Sequence, residues 1–394
     1  MKRDLFEFAI RIAVQQSLRK LRRSIAAFCG ITGGILMVLV QLGFQSALYD
    51  SAVRLHHIFN GDLVLVPAEF RSLLNAPWFS YDRLIAVLAH PDVSGVAPLH
   101  LAQIPLRNID NRNREGILTI GVDLDAPAIN LEAMKADVGD LRIPGRVLFD
   151  AKSQPFFGDV PRRLQRDGSA IIELAFDGDL LQPTVTVIGT HALGGTIVFA
   201  GTLLTSAQTL SSISRQPVDR LNIGIISLRP DANLEKVRDD LVAILPPELR
   251  IFTKDAFIEH EKAFWKTETP IGFLFDFGAI IGFLISAIYT YQVLYQIVEE
   301  NLPQYALLKS LGYPNGFFIV LVIATAAILA VTALPAAVAF GAVVYAACAK
   351  ATMLDMELTV LRVTAVSGMM VALSVVAAWL ASRRLSRADP ATLL

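Results

Sequence analysis

The residues able to do covalent or metal chemistry in this chain do not fall in the patterns such chemistry requires. No G-x-x-x-x-G-K-[ST] run occurs, so the phosphate-cradling loop of a nucleotide hydrolase is missing. H-E-x-x-H, paired C-x-x-C and G-x-S-x-G are missing as well. His56 and His57 are adjacent, which on a helix turns their rings about 100° apart instead of toward one ion. His90, His100, His191 and His260 are isolated in sequence and read as surface or loop residues. No catalytic residue and no metal ligand set is expected, and no nucleic-acid-binding pattern is present.

The pattern that does stand out is mechanical. Residues 299–313, EENLPQYALLKSLGY, form a short polar stretch between two long apolar segments. Glu299, Glu300, Gln304 and Lys309 are its polar positions, and Leu302, Tyr305, Leu307, Leu308 and Leu311 its apolar ones. Pro303 is tolerated only in the first turn of a helix, so a new helix restarts there. Gly312 with Pro314 beyond it supplies a stop. A plain turn needs only a few residues, so an ordered stretch of this length with an apolar face predicts a docking helix. A lever without a motor implies that the motor is a separate subunit.

The elements that must hold this lever are membrane spans. The chain of 394 residues is 54% apolar and only 18% charged, less charge than an ordinary soluble protein carries. The apolar excess sits in four blocks, near 25–48, 273–298, 317–347 and 364–381, each about as long as the roughly 20 residues that cross a bilayer. The third contains Pro335, which predicts a kink or tilt.

Charge orients them. Residues 1–23 carry seven basic side chains against Asp4 and Glu7, and the tail carries Arg383, Arg384 and Arg387 against Asp389. Basic flanks stay inside, so both termini are expected in the cytoplasm. Residues 51–270 hold 22 basic and 27 acidic side chains and are expected outside. The resulting fold is a membrane protein of four transmembrane α-helices with a large α+β extracytoplasmic domain between the first and second.

The expected boundaries are a cytoplasmic amphipathic helix (1–23), first span (24–50), periplasmic α+β domain (51–270), second span (271–298), cytoplasmic coupling helix (299–314), third span (315–348), short periplasmic loop (349–362), fourth span (363–382) and cytoplasmic tail (383–394). In the amphipathic helix Leu5, Phe8 and Ile12 share one face, suited to the inner membrane surface; a generic basic anchor is the simpler alternative. The N-terminus does not read as a cleavable signal peptide. Both cysteines, Cys29 and Cys348, fall inside spans, leaving the external domain to stand on its core.

Within that domain strands are expected at 62–66, 93–107, 116–122, 184–189, 196–203 and 221–228, and helices at 81–90 and 233–245. Two lobes are expected, the second inserted near 130–215. The basic run PRRLQR at 161–166 reads as a solvated loop before a surface for lipid headgroups or an acidic partner. The aromatic stretch APWFSY at 76–81 reads as a lip for an apolar ligand or as a local cluster. In the second span Gly278, Gly282 and Ser286 recur every four residues, a small-residue face for helix packing, within one chain or between two copies. Asp276, near the outer edge of that span, reads as an interfacial residue before a proton relay.

ALLKSLGY after the second span, SLRKLRRS before the first and the terminal RRLSRADPATLL together resemble FtsX/MacB-type permeases of ABC transporters (type VII). YQVLYQIVEENLPQYALLKSLGYP, TPIGF at 269–273 and FDAKSQPFFGD resemble the DevC-like branch. The resemblance implies a homodimeric permease that binds no cofactor itself, ATP and magnesium being held by a cytoplasmic ABC ATPase. It implies a periplasmic adaptor (membrane-fusion) protein, an outer-membrane TolC-like duct, a second copy of the chain and membrane lipids as partners, in a bacterial inner membrane. The set implied to couple to the ATPase is Glu299, Glu300, Gln304, Tyr305, Leu308, Lys309 and Gly312. Relatives commonly carry Glu where Gln304 stands, which puts a salt bridge at that position in doubt. A lipoprotein-releasing permease and a transmembrane regulator of a cell-wall hydrolase are the alternatives.

Overall fold

The computed structural model describes residues 2–19, 21–178, 182–196 and 198–387. Lys20, and the part of the basic tail beyond Arg387 with Asp389, lie outside the described residues. In chain order the elements begin with α1 (Lys2–Arg19), α2 (Leu21–Ala52) and the short α3 (Arg54–His57). β1 (Leu63–Pro67), β2 (Phe79–Ser80), α4 (Tyr81–Ile85), β3 (Val93–Arg107), β4 (Arg114–Val122) and β5 (Arg146–Asp150) follow. Next come α5 (Val160–Asp167), β6 (Ala170–Glu173), β7 (Thr184–His191), β8 (Thr202–Ser206), α6 (Ala207–Ser214), β9 (Arg220–Leu221) and β10 (Ile223–Leu228). The chain closes with α7 (Leu234–Ile244), β11 (Leu249–Thr253), α8 (Lys254–Ala263), α9 (Pro270–Glu300), α10 (Leu302–Ser310), α11 (Asn315–Thr352) and α12 (Val360–Arg387).

Two units emerge. One comprises Met1–Ser46, Phe273–Ala349 and Met356–Leu394, the other Ala47–Gly272 with Lys350–Asp355. The helical unit contains the long helices because nothing in their sequences stops them. Among the described residues four helices are long and apolar enough to cross a membrane: Phe28–Ala52, Pro270–Glu300, Gly316–Thr352 and Val360–Ala381. α11 runs through Pro335 without a break. Its core joins Ile35 and Leu39 of α2 with Leu294 of α9, Leu321 and Ala333 of α11 and Ala378 of α12.

The α+β unit is built on a nine-stranded sheet of order β11-β1-β10-β3-β4-β8-β5-β7-β6. Pairing is parallel between β4 and β8 and between β5 and β7, and antiparallel elsewhere. The segment 130–215 contributes β5 to β8 to this same sheet. β3 covers the expected 93–107.

Several local expectations need correction. The strand expected over 196–203 begins only at Thr202, because the Thr196 hydroxyl accepts from the Val198 and Phe199 amides and bends the chain into a turn. The helix expected over 81–90 is α4 followed by a 3-10 turn at Ala86–Ala89. PRRLQR is a helix, α5, with the Asp159 side chain capping the Arg162 amide and Gly168 closing it at φ 74°. Its arginines pair with Asp159, Asp110 and Asp167 at 2.8–3.1 Å, which leaves little positive field for headgroups.

Candidate coupling surface

α10 arises from a break and two locks. α9 ends at Glu300, and Asn301 turns the chain, its side-chain amide donating to the Ile297 carbonyl at 2.7 Å and its own carbonyl accepting from the Tyr305 amide at 3.0 Å. Pro303 sits in the first turn of α10, where no donor is missed. At the far end Gly312 takes φ 93°. There the Gly312 amide bonds to the Lys309 carbonyl and the Tyr313 amide to the Leu308 carbonyl. That is the paired closure of a Schellman cap.

Tyr305 is fully buried, 5.9 Å from the Phe318 ring, and Leu308 packs half-buried on the same core. Tyr305 therefore fastens the helix down instead of offering itself to a partner. Glu299, Glu300 and Gln304 face outward, Lys309 is half-buried, and Gly312 is exposed. The largest outward apolar groups are Leu307 and Leu311, 55% and 69% exposed.

α1 completes this end. Phe8 stacks at 6.0 Å on Tyr313 and 6.1 Å on Phe317, and Ala9 and Ala13 are buried in the same core as Tyr305. Ile10 and Val14, one turn apart on α1, remain exposed. Asn301, Phe8, Leu307 and Leu311 were not singled out as functional from sequence. Their signal was available only in part: Phe8 on an amphipathic face and the leucine spacing in ALLKSLG.

The small-residue face of α9 is covered by α2 of the same chain. A Cβ on Gly278 would meet the Gln41 amide at 2.6 Å, and one on Gly282 would touch Met37 and Val38. Ser286 is buried against Gly34, where an added Cβ would come within 2.6 Å of its hydroxyl, and Gly30 is closed over by Tyr289. α2 thus brings its own small residues to the seam. Asp276 accepts from the Gln45 amide at 2.8 Å and so is paired.

In the α+β unit three histidines are buried, against the surface placement expected for two of them. His56 lies 3.6 Å from the Glu261 carboxylate, both fully buried. Glu261 also accepts from the Leu73 amide and the Trp265 indole, so one carboxylate ties α3, α8 and the 73–80 strap together. His191 sits opposite Asp150 in the β5–β7 register, with the Thr202 hydroxyl donating to Asp150 and lying 3.4 Å from His191. Burial lowers the His191 pKa, opposed by the Asp150 charge. His100 is lowered by burial too, opposed by the Arg220 carbonyl on its ring. Asp110 is lowered, first by the Asp159 amide and then by Arg163.

Residues 277–390 match the family profile described as FtsX-like permease C-terminal. This part of the chain is similar to the C-terminal domain of FtsX-like permeases. It takes in most of α9, the Asn301 turn, α10, α11 and α12. FtsX-like permeases are membrane subunits of ABC-type transporters. Among curated proteins the sequence finds no match. Among solved structures the chain is similar to the periplasmic region of MacB from Actinobacillus actinomycetemcomitans, with 11% identity and a TM-score of 0.33 over 51% of this chain and 92% of that one. It is also similar to the extracellular domain of the noncanonical ABC-type transporter YknZ from Gram-positive bacteria, with 14% identity and a TM-score of 0.32 over 48% of this chain and 98% of that one. At such scores no property of either protein passes to this chain.

Proposed function

We propose that the chain is the permease subunit of an ABC export system. In this reading a separate cytoplasmic ATPase, which holds the ATP and magnesium, docks on the surface made by α1 and α10. The observation that carries the reading is the Phe8 stack on Tyr313 and Phe317, which ties α1 to the turn after α10 and the start of α11 while Leu307, Leu311, Ile10 and Val14 stay outward. Apolar side chains held outward on a rigid, capped element suit a protein partner. Force applied there enters the α9–α11 turn, and the two spans flanking the α+β unit carry it across the bilayer. The finer assembly includes an inner-membrane location with both termini cytoplasmic, a second copy of the chain, a periplasmic adaptor and an outer-membrane duct.

The test is site-specific crosslinking. In a chain with Cys29 and Cys348 replaced, a single cysteine at Leu311 is expected to crosslink to an ATPase in native membranes, whereas one at Ile171, exposed on the α+β unit, is not. Absence of any ATPase from the Leu311 adducts refutes the docking surface.

A further inference from the structure

One row of the sheet in the α+β unit is interrupted. β3 pairs with β4 from Leu99 to Arg107, but on its other side it pairs with β10 only as far as Leu99. Pairing on that side resumes at the Leu106–Leu174 bridge, where the Pro105 carbonyl accepts from the Ala175 amide at 2.7 Å. Both flanking runs are antiparallel to β3 and follow one direction: 174–175 lead into the gap and 222–228 lead out of it.

The parity of the ladder fixes what the gap leaves open. Leu118, opposite Gln103, gives its amide to the Gly201 carbonyl on its far side. The Gln103–Leu118 pair therefore exchanges no backbone bonds, and Gln103 turns both its N–H and its C=O away from β4. Leu101 has the same parity, its amide donating to the Asn222 side chain at 2.7 Å. Pro105, two residues on, has no amide to leave unpaired, as a strand edge allows. Among the described residues the Leu101 carbonyl and the Gln103 amide and carbonyl have no partner. Gln103 is exposed, so these groups face a space that a chain can enter.

That space is a depression of about 670 Å³, lined by 101–104 of β3, by the strap, by Gln216 and by Phe176. A guanidinium lies on an aromatic ring at each end of the missing row. Phe176, next after Ala175, has Arg215 over it at 6.0 Å. Trp78 has Arg220 over it at 3.7 Å, beside Asn222, which holds the Ala76 carbonyl at 2.8 Å. The edge is thus bounded and preformed, which lowers the ordering cost of binding.

We propose that an extended segment of another polypeptide adds here as a short strand, antiparallel to β3, filling the row between Ala175 and Asn222. The open groups run acceptor, donor, acceptor, the complement of a peptide's donor, acceptor, donor. One residue of the segment exchanges both backbone bonds with Gln103, and the residue two further on donates to the Leu101 carbonyl. Main-chain bonds make the site tolerant of sequence and selective for an unfolded, extended chain. This edge stands apart from the ATPase docking surface.

The test uses the full chain in nanodiscs with Cys29 and Cys348 replaced and Leu74→Cys at the half-exposed rim. A short peptide of alternating threonine and valine on a flexible tether is then held at about millimolar effective concentration. Hydrogen–deuterium exchange is read at single amides. Without the peptide, the Gln103 amide is expected to exchange fast while Ala102 and Ile104, bonded to β4, are protected. The tethered peptide is expected to slow Gln103 at least about tenfold. The same peptide N-methylated throughout, which has lost its donors, is expected to leave Gln103 fast. Gln216→Cys, exposed at the same depression, carries the tether if Leu74→Cys disturbs the strap. The proposal is overturned if Gln103 is already protected in the chain alone, or if the peptide slows it from neither tether. It is overturned equally if the methylated peptide slows Gln103 as much, since that is a filled depression without an added strand.

Discussion

Replacing Leu307 and Leu311 together by aspartate is the sharpest probe of the docking surface. Burying a whole leucine side chain contributes about 1.5–3 kcal/mol. With 55% and 69% of these side chains still exposed, about 1–2 kcal/mol at each position is left for a partner to gain. The double variant should therefore forfeit about 2–4 kcal/mol, a Kd weakened roughly 30- to 700-fold. The folded chain itself should be almost unaffected, since neither residue belongs to the core around Tyr305. Leu308→Asp would be a poorer choice, because Leu308 packs on that core and lost binding could not be separated from lost structure. The assay is biolayer interferometry of the co-purifying ATPase on the immobilised chain in nanodiscs, with thermal unfolding measured alongside. Unchanged affinity with both aspartates in place would show that α10 is not where the motor sits.

Other expectations follow from the seam, the buried carboxylate and the histidines. Gly30→Val and Gly34→Val drive a side chain into Tyr289 and Ser286 and should each cost about 1–3 kcal/mol by overpacking, read as a lower melting point, whereas Gly33→Ala, with open space around it, should be silent. Glu261→Ala orphans the Leu73 amide and the Trp265 indole beside His56 and should destabilise by about 3–5 kcal/mol; Glu261→Gln, which keeps an acceptor, should cost less, and equal losses would count against the hydrogen-bonding role. His191 has a folded pKa below its unfolded 6.5, so the unfolded chain binds the extra proton. Its contribution is complete above pH 6.5 and lost as pH falls below it. The melting point should drop through that window, and His191→Gln should flatten the drop.

What could be read from the residues alone was whatever repeats along one element. The spans were legible because long apolar runs admit few other fates, and β3 because apolar residues recur through it up to the Asn-rich turn after Arg107. β5 and β8 were not, since strands buried on both faces lose the alternation that marks a strand. α5 carried its signals openly, Asp159 before Pro161 and Gly168 after Asp167, but its charge drew attention away from its caps. α10 was legible in position and not in orientation: that Tyr305 points inward depends on Phe318, thirteen residues on, and that α1 packs at its end depends on Phe8 meeting Tyr313. The buried histidines were illegible for the same reason, because Glu261 and Asp150 reach them only through the fold.

The α2–α9 interface has a consequence for movement. Gly30 and Gly34 on α2 seat Tyr289 and Ser286 of α9, and Gly278 and Gly282 on α9 seat Gln41, Met37 and Val38 of α2. Cross-helix polar bonds to α9 come from Gln41 and Gln45, to the Phe275 carbonyl and Asp276. Close contact of that kind penalises both a gap and a slip. A shift of one turn, about 5.4 Å, would carry Tyr289 off Gly30 and Met37 off Gly282. The two helices are keyed to each other, so a displacement of one is handed on to the other with little lost between them.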